Sequence, residues 1–455
     1  MLTSPLAASV AADDDWYSSW RARELSRLDR AGLTYLDYTG AALYPESLIP
    51  APGERLAPSV LGNPHSAHAP SEASTADAHA ARGAILDFLD ADPDQYACIL
   101  TTNASAACRL VGESFPFEPT SRLLLAADNH NSVVGIREYA RARGAATSLM
   151  PVDDDLRLTG TVDAVGDRPH GPSLFAFPAQ SNFSGVRHPL SLVSTAREAG
   201  WYVLLDAAAF VPTMTLSLRR TPADFVVLSL YKIIGHPAGV GALVARRDAL
   251  VRLRRPSFAG GTVSWVSVQG DRHRLLGGEA AFEDGTLPFS ALGIVPAALS
   301  AARRADRARL ARHLGTLTRR LVDELRGLRH TSGTPLVNIH GPLDHANRGA
   351  TVAVTLRDAG GRIIPYWDVE AGARRERVAV RGGCFCNPGC AEAAFRFPRE
   401  ATARCLDRLG ASFSIPAFAR CLGDTPVGAI RFSMGLGSVQ ADIDHAIGFL
   451  RRHLA

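Results

Sequence analysis

Between residues 97 and 247, short apolar runs alternate with stretches of helical periodicity, and this alternation constrains the fold of the 455-residue chain more than any other feature. The candidate strands are 97–102, 122–127, 146–152, 173–179, 202–208, 224–230 and 241–247. Several are near-continuous apolar runs, as expected of strands covered on both faces. Helix candidates lie between them at 104–114, 132–143 and 189–199. This order predicts an α/β fold with a mostly parallel central sheet and helices on both faces. A long Ala/Arg/Leu-rich helical stretch, 290–329, broken at Pro296 and Gly315, leads into a smaller α+β domain. That domain has strands at 351–356, 377–380 and 429–433 and an amphipathic closing helix at 439–451. The expected division is an N-terminal segment 1–60, a large domain 61–310 and a small C-terminal domain 311–455. The segment 258–284, with its glycines and Arg272-His273-Arg274, reads as a long loop, and long loops in compact domains tend to be functional.

Composition narrows the class. Hydrophobic residues make up 46% and charged residues 21%, enough for a large core. No apolar run approaches a membrane span, so no membrane partner is expected. The first fifteen residues carry no basic group and run into Asp13-Asp14-Asp15, which argues against a signal peptide. A net charge of +4 argues against a dedicated nucleic-acid binder. Seven cysteines, unevenly spread, suit reduced thiols in the cytoplasm rather than a disulfide framework.

One count says more. Of 49 basic residues a single one, Lys232, is lysine. Arginine serves wherever a generic cation suffices, but it stays protonated and cannot act as a nucleophilic amine, whereas lysine can form a Schiff base. An ordinary surface lysine is the plain alternative, and context decides between them. Lys232 follows a strand (Asp224-Phe-Val-Val-Leu-Ser-Leu-Tyr-Lys) and precedes a glycine-rich turn, while a neighbouring strand ends in Asp206. Ligands in open α/β sheets bind beyond the carboxyl ends of strands. An amine and a carboxylate there fit pyridoxal phosphate: the amine holds the aldehyde, and the acid keeps the pyridine nitrogen protonated.

Phosphate needs donors. Thr101-Thr-Asn-Ala-Ser-Ala-Ala-Cys follows a strand and opens a helix, offering free N–H groups and the Ser105 hydroxyl; an ordinary helix N-cap uses the same residue types. Ser229 either reaches the phosphate or is a plain strand serine. Arg381-Gly-Gly-Cys384-Phe-Cys386-Asn-Pro-Gly-Cys390 gathers three cysteines on a glycine-rich segment. A metal site lacks a fourth ligand nearby. A mobile loop carrying a nucleophilic thiol fits the composition best, with a buried structural group as the alternative.

At this point the chain resembles the class V group of fold-type-I pyridoxal phosphate enzymes, and within it the cysteine desulfurase domain of molybdenum cofactor sulfurases. The resemblance rests on Tyr35-Leu-Asp-Tyr-Thr-Gly-Ala-Ala-Leu, Asn63-Pro-His-Ser, Asp128-Asn-His-Asn-Ser-Val-Val-Gly, Pro178-Ala-Gln-Ser-Asn-Phe-Ser-Gly, Phe282-Glu-Asp-Gly-Thr and Gly383-Cys-Phe-Cys-Asn-Pro-Gly, in that order and spacing. It implies Lys232 as Schiff-base lysine, Asp206 under the pyridine nitrogen and Asn182 on the phenolic oxygen. It also implies His130 stacked on the ring, in a register ambiguous by one residue. Ser105 and Ser229 match phosphate ligands, and Thr286 one donated across a homodimer interface. Arg431 matches the arginine on the substrate carboxylate, where the residues alone suggest a surface charge. Cys386 matches the persulfide cysteine.

The implied reaction releases alanine from L-cysteine and leaves sulfur on Cys386 for an acceptor that the sequence does not identify; the roles of Cys384 and Cys390 stay open. Two departures stand out. Family members carry one more residue before the last cysteine, and a threonine where Gly382 stands. The family also continues into a β-rich domain beyond the length of this chain. A C–S or C–Se lyase acting on a cysteine conjugate, and a class V aminotransferase or epimerase, are the competing activities.

Overall fold

The computed structural model describes residues 5–160 and 170–454. Seven strands form the main sheet: β1 Tyr96–Thr101, β2 Arg122–Ala126, β3 Ala146–Met150, β4 Leu174–Pro178, β5 Tyr202–Asp206, β6 Phe225–Ser229 and β7 Gly241–Arg246. Their order is β1-β7-β6-β5-β4-β2-β3, with only β7 antiparallel to its neighbours. All seven expected strands are present, each within two residues of its expected bounds.

The near-continuous apolar runs have a direct cause. Leu124, Phe175, Phe177, Val203, Leu205, Val226 and Leu228 enter one core, while Leu123, Leu125, Leu174, Leu204, Phe225 and Val227 enter the other. Alternate side chains thus point to opposite, equally buried faces, so the central strands are apolar up to their carboxyl ends, where Asp206 and Ser229 stand. Each such side chain contributes roughly 1.5–3 kcal/mol by leaving water.

A third core surrounds a smaller antiparallel sheet built from β10 Val337–His340, β11 Thr351–Arg357, β12 Arg381–Gly383 and β13 Ala429–Ser433, β8 and β9 being the hairpin strands described below. Tyr17 and Leu36 from the chain's beginning belong to this core. The short strand Thr34–Tyr35 pairs in parallel with Val378–Ala379, and Asp37 bridges to Ser433. Tyr17 and the segment Thr34–Asp37 therefore pack onto the C-terminal sheet, which brings Asp37 to the base of the site described below.

Several local expectations are corrected. The segment expected to be a long loop holds an antiparallel hairpin, β8 Val263–Ser267 with β9 Arg272–Leu275. Its exposed positions mix Trp265, 73% exposed, with Ser264, Arg272, His273 and Arg274, and neither strand has a fully buried residue, so alternation with a core face was absent from the sequence. Gly315 does not interrupt a helix. It lies inside Arg307–Gly327, whose amphipathic face of Leu310, Leu314, Leu317 and Leu321 is buried and outweighs the roughly 1 kcal/mol propensity cost of one glycine. The break falls instead at Ala305 and at Asp306, whose carboxylate accepts from the N–H groups of Ala308 and Arg309. Pro296 opens the helix Val295–Arg304, where its missing N–H costs nothing. The expected helix 132–143 divides at Gly135 into Asn131–Val134 and Ile136–Ala142. The expected strand 377–380 is two short strands, Val378–Ala379 and Arg381–Gly383. Not all thiols are reduced: Cys405 and Cys421 form a disulfide with Cα atoms 5.9 Å apart. They lie on the facing helices Arg399–Leu409 and Ile415–Cys421. Among the described residues, no helix is long and apolar enough to cross a membrane.

Candidate active site

The carboxyl ends of β1, β2, β4, β5 and β6 converge on one cleft of about 190 Å3, lined among others by Ser105, His130, Asn182, Asp206, Ser229 and Lys232. After β1 the chain turns into the helix Ala104–Ser114, capped by Asn103, whose Oδ1 accepts from the Ala106 N–H at 2.9 Å. Asn103 takes the capping role, which leaves the Ser105 hydroxyl free for other work. Ser105 Oγ lies 2.6 Å from Ser132 Oγ, and Ser229 Oγ accepts from the Ala104 N–H at 2.8 Å. Gly241 permits this arrangement: a Cβ there would stand 2.5 Å from the Asn103 Cα. A helix N-terminus with three hydroxyls around it forms an anion cradle.

β6 runs directly into the one-turn helix Leu230–Ile234, which ends at Gly235 in the left-handed region, φ 76°. Lys232 is in this turn, half-buried. Burial pulls its amine below the ordinary lysine range; Asp206 opposes the shift and Arg431 adds to it. Asp206 ends β5 and accepts from the Ala208 N–H at 2.9 Å. His130, after β2, accepts at Nδ1 from the Ser132 N–H at 3.1 Å. Burial lowers its pKa, Asp206 pushes it back up, and Lys232 lowers it further. His130 lines the cleft, whereas its neighbour Asn129 is buried and donates to the Ala176 carbonyl.

Arg431 is not a surface charge. It is 2% exposed; its Nη2 lies 2.9 Å from Asp37 Oδ1, and its Nη1 donates to the Asn182 carbonyl at 3.0 Å. Its Nε is buried without a partner, and its guanidinium carbon stands 4.7 Å from the centre of the Phe385 ring. Arg381 grips the other oxygen of Asp37 at 2.6 Å.

The three-cysteine segment is pinned. The Asn182 amide donates to the Phe385 carbonyl at 2.7 Å, and the Asn131 N–H donates to the Cys386 carbonyl at 2.7 Å. Asn387, fully buried, donates to the Asp128 carbonyl at 2.7 Å and to Asn182 Oδ1 at 2.9 Å, and accepts from the Cys390 N–H at 3.1 Å. Phe385 and Cys386 both sit at φ 56°, a conformation rare for residues with a Cβ. Of the free cysteines only Cys386 is exposed. Cys390 is buried against Ser181, and burial pushes its thiol well up.

The family model described as aminotransferase class-V matches residues 34–445. The chain belongs to the class-V aminotransferase family. Molybdenum cofactor sulfurases are similar along 94% of this chain, at 32% identity in Arabidopsis thaliana and 32% in Bos taurus, but the match covers only 57% and 51% of those proteins. A cysteine desulfurase from Thermococcus onnurineus NA1 superposes with a TM-score of 0.77 at 21% identity, covering 96% of this chain and 97% of its own. One from Escherichia coli superposes at 0.75 and 20%, covering 96% and 98%. Both share the fold.

For a class-V member, the donor set of the cleft fits pyridoxal phosphate: an amine with lowered pKa, a carboxylate at the neighbouring strand end, and a cradle of hydroxyls and N–H groups. Gln180, given no role in the sequence reading, lines the same cleft with a buried, unpartnered Oε1. Six of the nine expected residues meet here. Arg431 and Cys386 adjoin the cleft through Asn182. Thr286 is not brought to it within one chain and instead lines a separate cavity with Thr101, Thr102 and Arg109. Asp37 and Asn387 had no role in the sequence reading, although both lie within motifs that carry the resemblance; their partners are hundreds of residues away. The glycine at 382 has a local reason: a Cβ there would collide with the Tyr366 ring and the Glu370 carboxylate.

Proposed function

We propose that this chain is a pyridoxal-phosphate-dependent enzyme that takes sulfur from L-cysteine onto Cys386 and releases alanine. The observation that carries the reading is Asn182, which lines the cleft of Lys232 and also bonds the carbonyl next to Cys386. An exposed thiol and a depressed lysine amine are thereby held in one assembly.

Pyridoxal phosphate, when bound, supplies an electron sink for the substrate's α-carbon. Lys232 would hold it, and the amine, its pKa lowered by burial, would accept the α-proton at Nζ. Asp206 would keep the proton on the ring nitrogen, Asn182 would bond the phenolic oxygen, and His130 would lie against the ring. Ser105, Ser229 and the first turn of Ala104–Ser114 would take the phosphate, with Thr286 contributed by a second copy in a homodimer. Arg431 would receive the substrate carboxylate at its free Nε while Asp37 retains Nη2. The Cys386 thiol would attack the substrate sulfur: an S–S bond forms as the C–S bond breaks, and the carbon keeps the bonding pair and takes up the proton that the thiol gives up, leaving alanine. The third core, drawn from both ends of the chain, supports a large lobe over 61–310 and a smaller one over 311–455 joined by the first 60 residues.

Product analysis with L-cysteine, beside the Cys386→Ser variant, tests this. Alanine from the parent and its loss in the variant are expected. Pyruvate and sulfide from both would mean β-elimination, with Cys386 reduced to a structural role.

A further inference from the structure

A separate cavity of about 100 Å3 is lined by Arg187, Thr318, Arg319, His345 and Arg348, and by no aspartate or glutamate. Its basic residues come from three parts of the fold. Arg187 follows the turn after β4, Arg319 lies on the helix Arg307–Gly327, and His345 and Arg348 precede β11.

These side chains are poorly satisfied. Arg348 is 5% exposed; its Nη1 donates to the Pro342 carbonyl, its Nη2 reaches the Thr351 carbonyl only at 3.5 Å, and its Nε has no partner. Arg187 directs Nη1 at the Met214 sulfur at 3.1 Å, a weak acceptor, and its Nε is also buried and unpartnered. His345 Nδ1 is a third buried atom without a partner. Neither Arg187 nor Arg348 forms an ion pair among the described residues. Asp344, the acid nearest in sequence to Arg348, is taken by Arg157 at 2.7 Å.

Asp344 and Asp155 offset part of the charge on Arg348 without bonding it, and burial still pulls that guanidinium down to about 10. Buried charge with so few hydrogen-bonding partners is costly, and an anion in the cavity would relieve that cost. We propose that this cavity is an anion-binding site for a small molecule bearing a phosphate or carboxylate group, held by Arg187, Arg348 and His345 with the exposed Arg319 completing it. The site is distinct from the cradle at Ser105 and Ser229. Thr213 and Ala350 line both this cavity and an adjoining one that contains Lys232 and Gln180, so the bound anion is a neighbour of the catalytic cleft. The assignment does not rest on the desulfurase reading.

Calorimetric titration of the full chain, with pyridoxal phosphate in excess to fill the other phosphate site, tests it with two probes: inorganic pyrophosphate and malonate. Saturable binding of either supports the site, and the tighter of the two identifies phosphate or carboxylate as its ligand. The Arg187→Gln variant should bind that probe about tenfold or more weakly, the loss of one charged hydrogen bond. If Arg187→Gln does not fold, Arg319→Gln, at an exposed position, decides in its place. No saturable binding of either probe, or equal affinity in parent and folded variant, overturns the proposal.

Discussion

Asp37 Oδ1 stands 2.9 Å from Arg431 Nη2, across 394 residues of sequence. Arg381 holds the second oxygen of the same carboxylate at 2.6 Å. The carboxylate thus neutralises the guanidinium that the substrate reading needs, and orients it with one nitrogen left over.

Breaking this pair should cost both stability and binding. Arg431→Met is expected to lose about 2 kcal/mol of unfolding free energy, because the Asp37 carboxylate loses one charged hydrogen bond and keeps only Arg381. The KM for L-cysteine should rise while cofactor absorbance is retained. Denaturant melts and steady-state kinetics check the two effects separately.

Lys232→Ala should abolish turnover and the absorbance of covalently held cofactor. Lys232→Met in cofactor-free protein has a further consequence. Burial depresses the amine, so between its lowered value and the ordinary 10.5 the unfolded chain binds the extra proton and the parent gains stability as pH rises. The methionine variant should lack that component and be the more stable protein near neutrality. Thermal melts from pH 7 to 10 read the difference.

Asn387 fixes the cysteine segment through three hydrogen bonds, none of which touches the reacting atoms. Asn387→Ala should leave cofactor binding in place and reduce persulfide formation about tenfold or more, equivalent to losing roughly 1–3 kcal/mol of positioning. The rate at which Cys386 reacts with a soluble thiol reagent should change in the same variant. An unchanged persulfide yield would assign Asn387 to packing alone.

His340 is 6% exposed, and burial, aided by Arg357, lowers its pKa to about 4. The native state resists a proton that the unfolded chain accepts at 6.5, so this contribution is complete above pH 6.5 and is lost as pH falls towards 4. Between pH 7 and pH 5 the parent should lose about 2 kcal/mol more than His340→Leu. Urea melts at the two pH values measure it.

The main sheet was legible because each strand is buried on both faces, and a doubly buried strand leaves its mark in a handful of adjacent residues. Val226, Val227 and Leu228 record two cores by themselves. Lys232 and Asp206 were legible for a related reason: strand ends of one parallel sheet open on one side, so local position fixes where the side chains meet. The hairpin at 263–275 was not legible, since Trp265 is 73% exposed and its strand carries no alternation against a core. Nor was the Cys405–Cys421 bond, which depends on two short helices facing each other.

What the sequence determined, then, is which segments form the sheet and which amine and acid stand at its mouth. Tertiary structure alone decided that Asp37 meets Arg431, that Asn182 ties the cleft to the Cys386 segment, and that Arg187, Arg348 and His345 share a cavity. Periodicity reports that a side chain is buried but not against what. Partners hundreds of residues apart are chosen when separate cores dock, and that choice leaves no local trace.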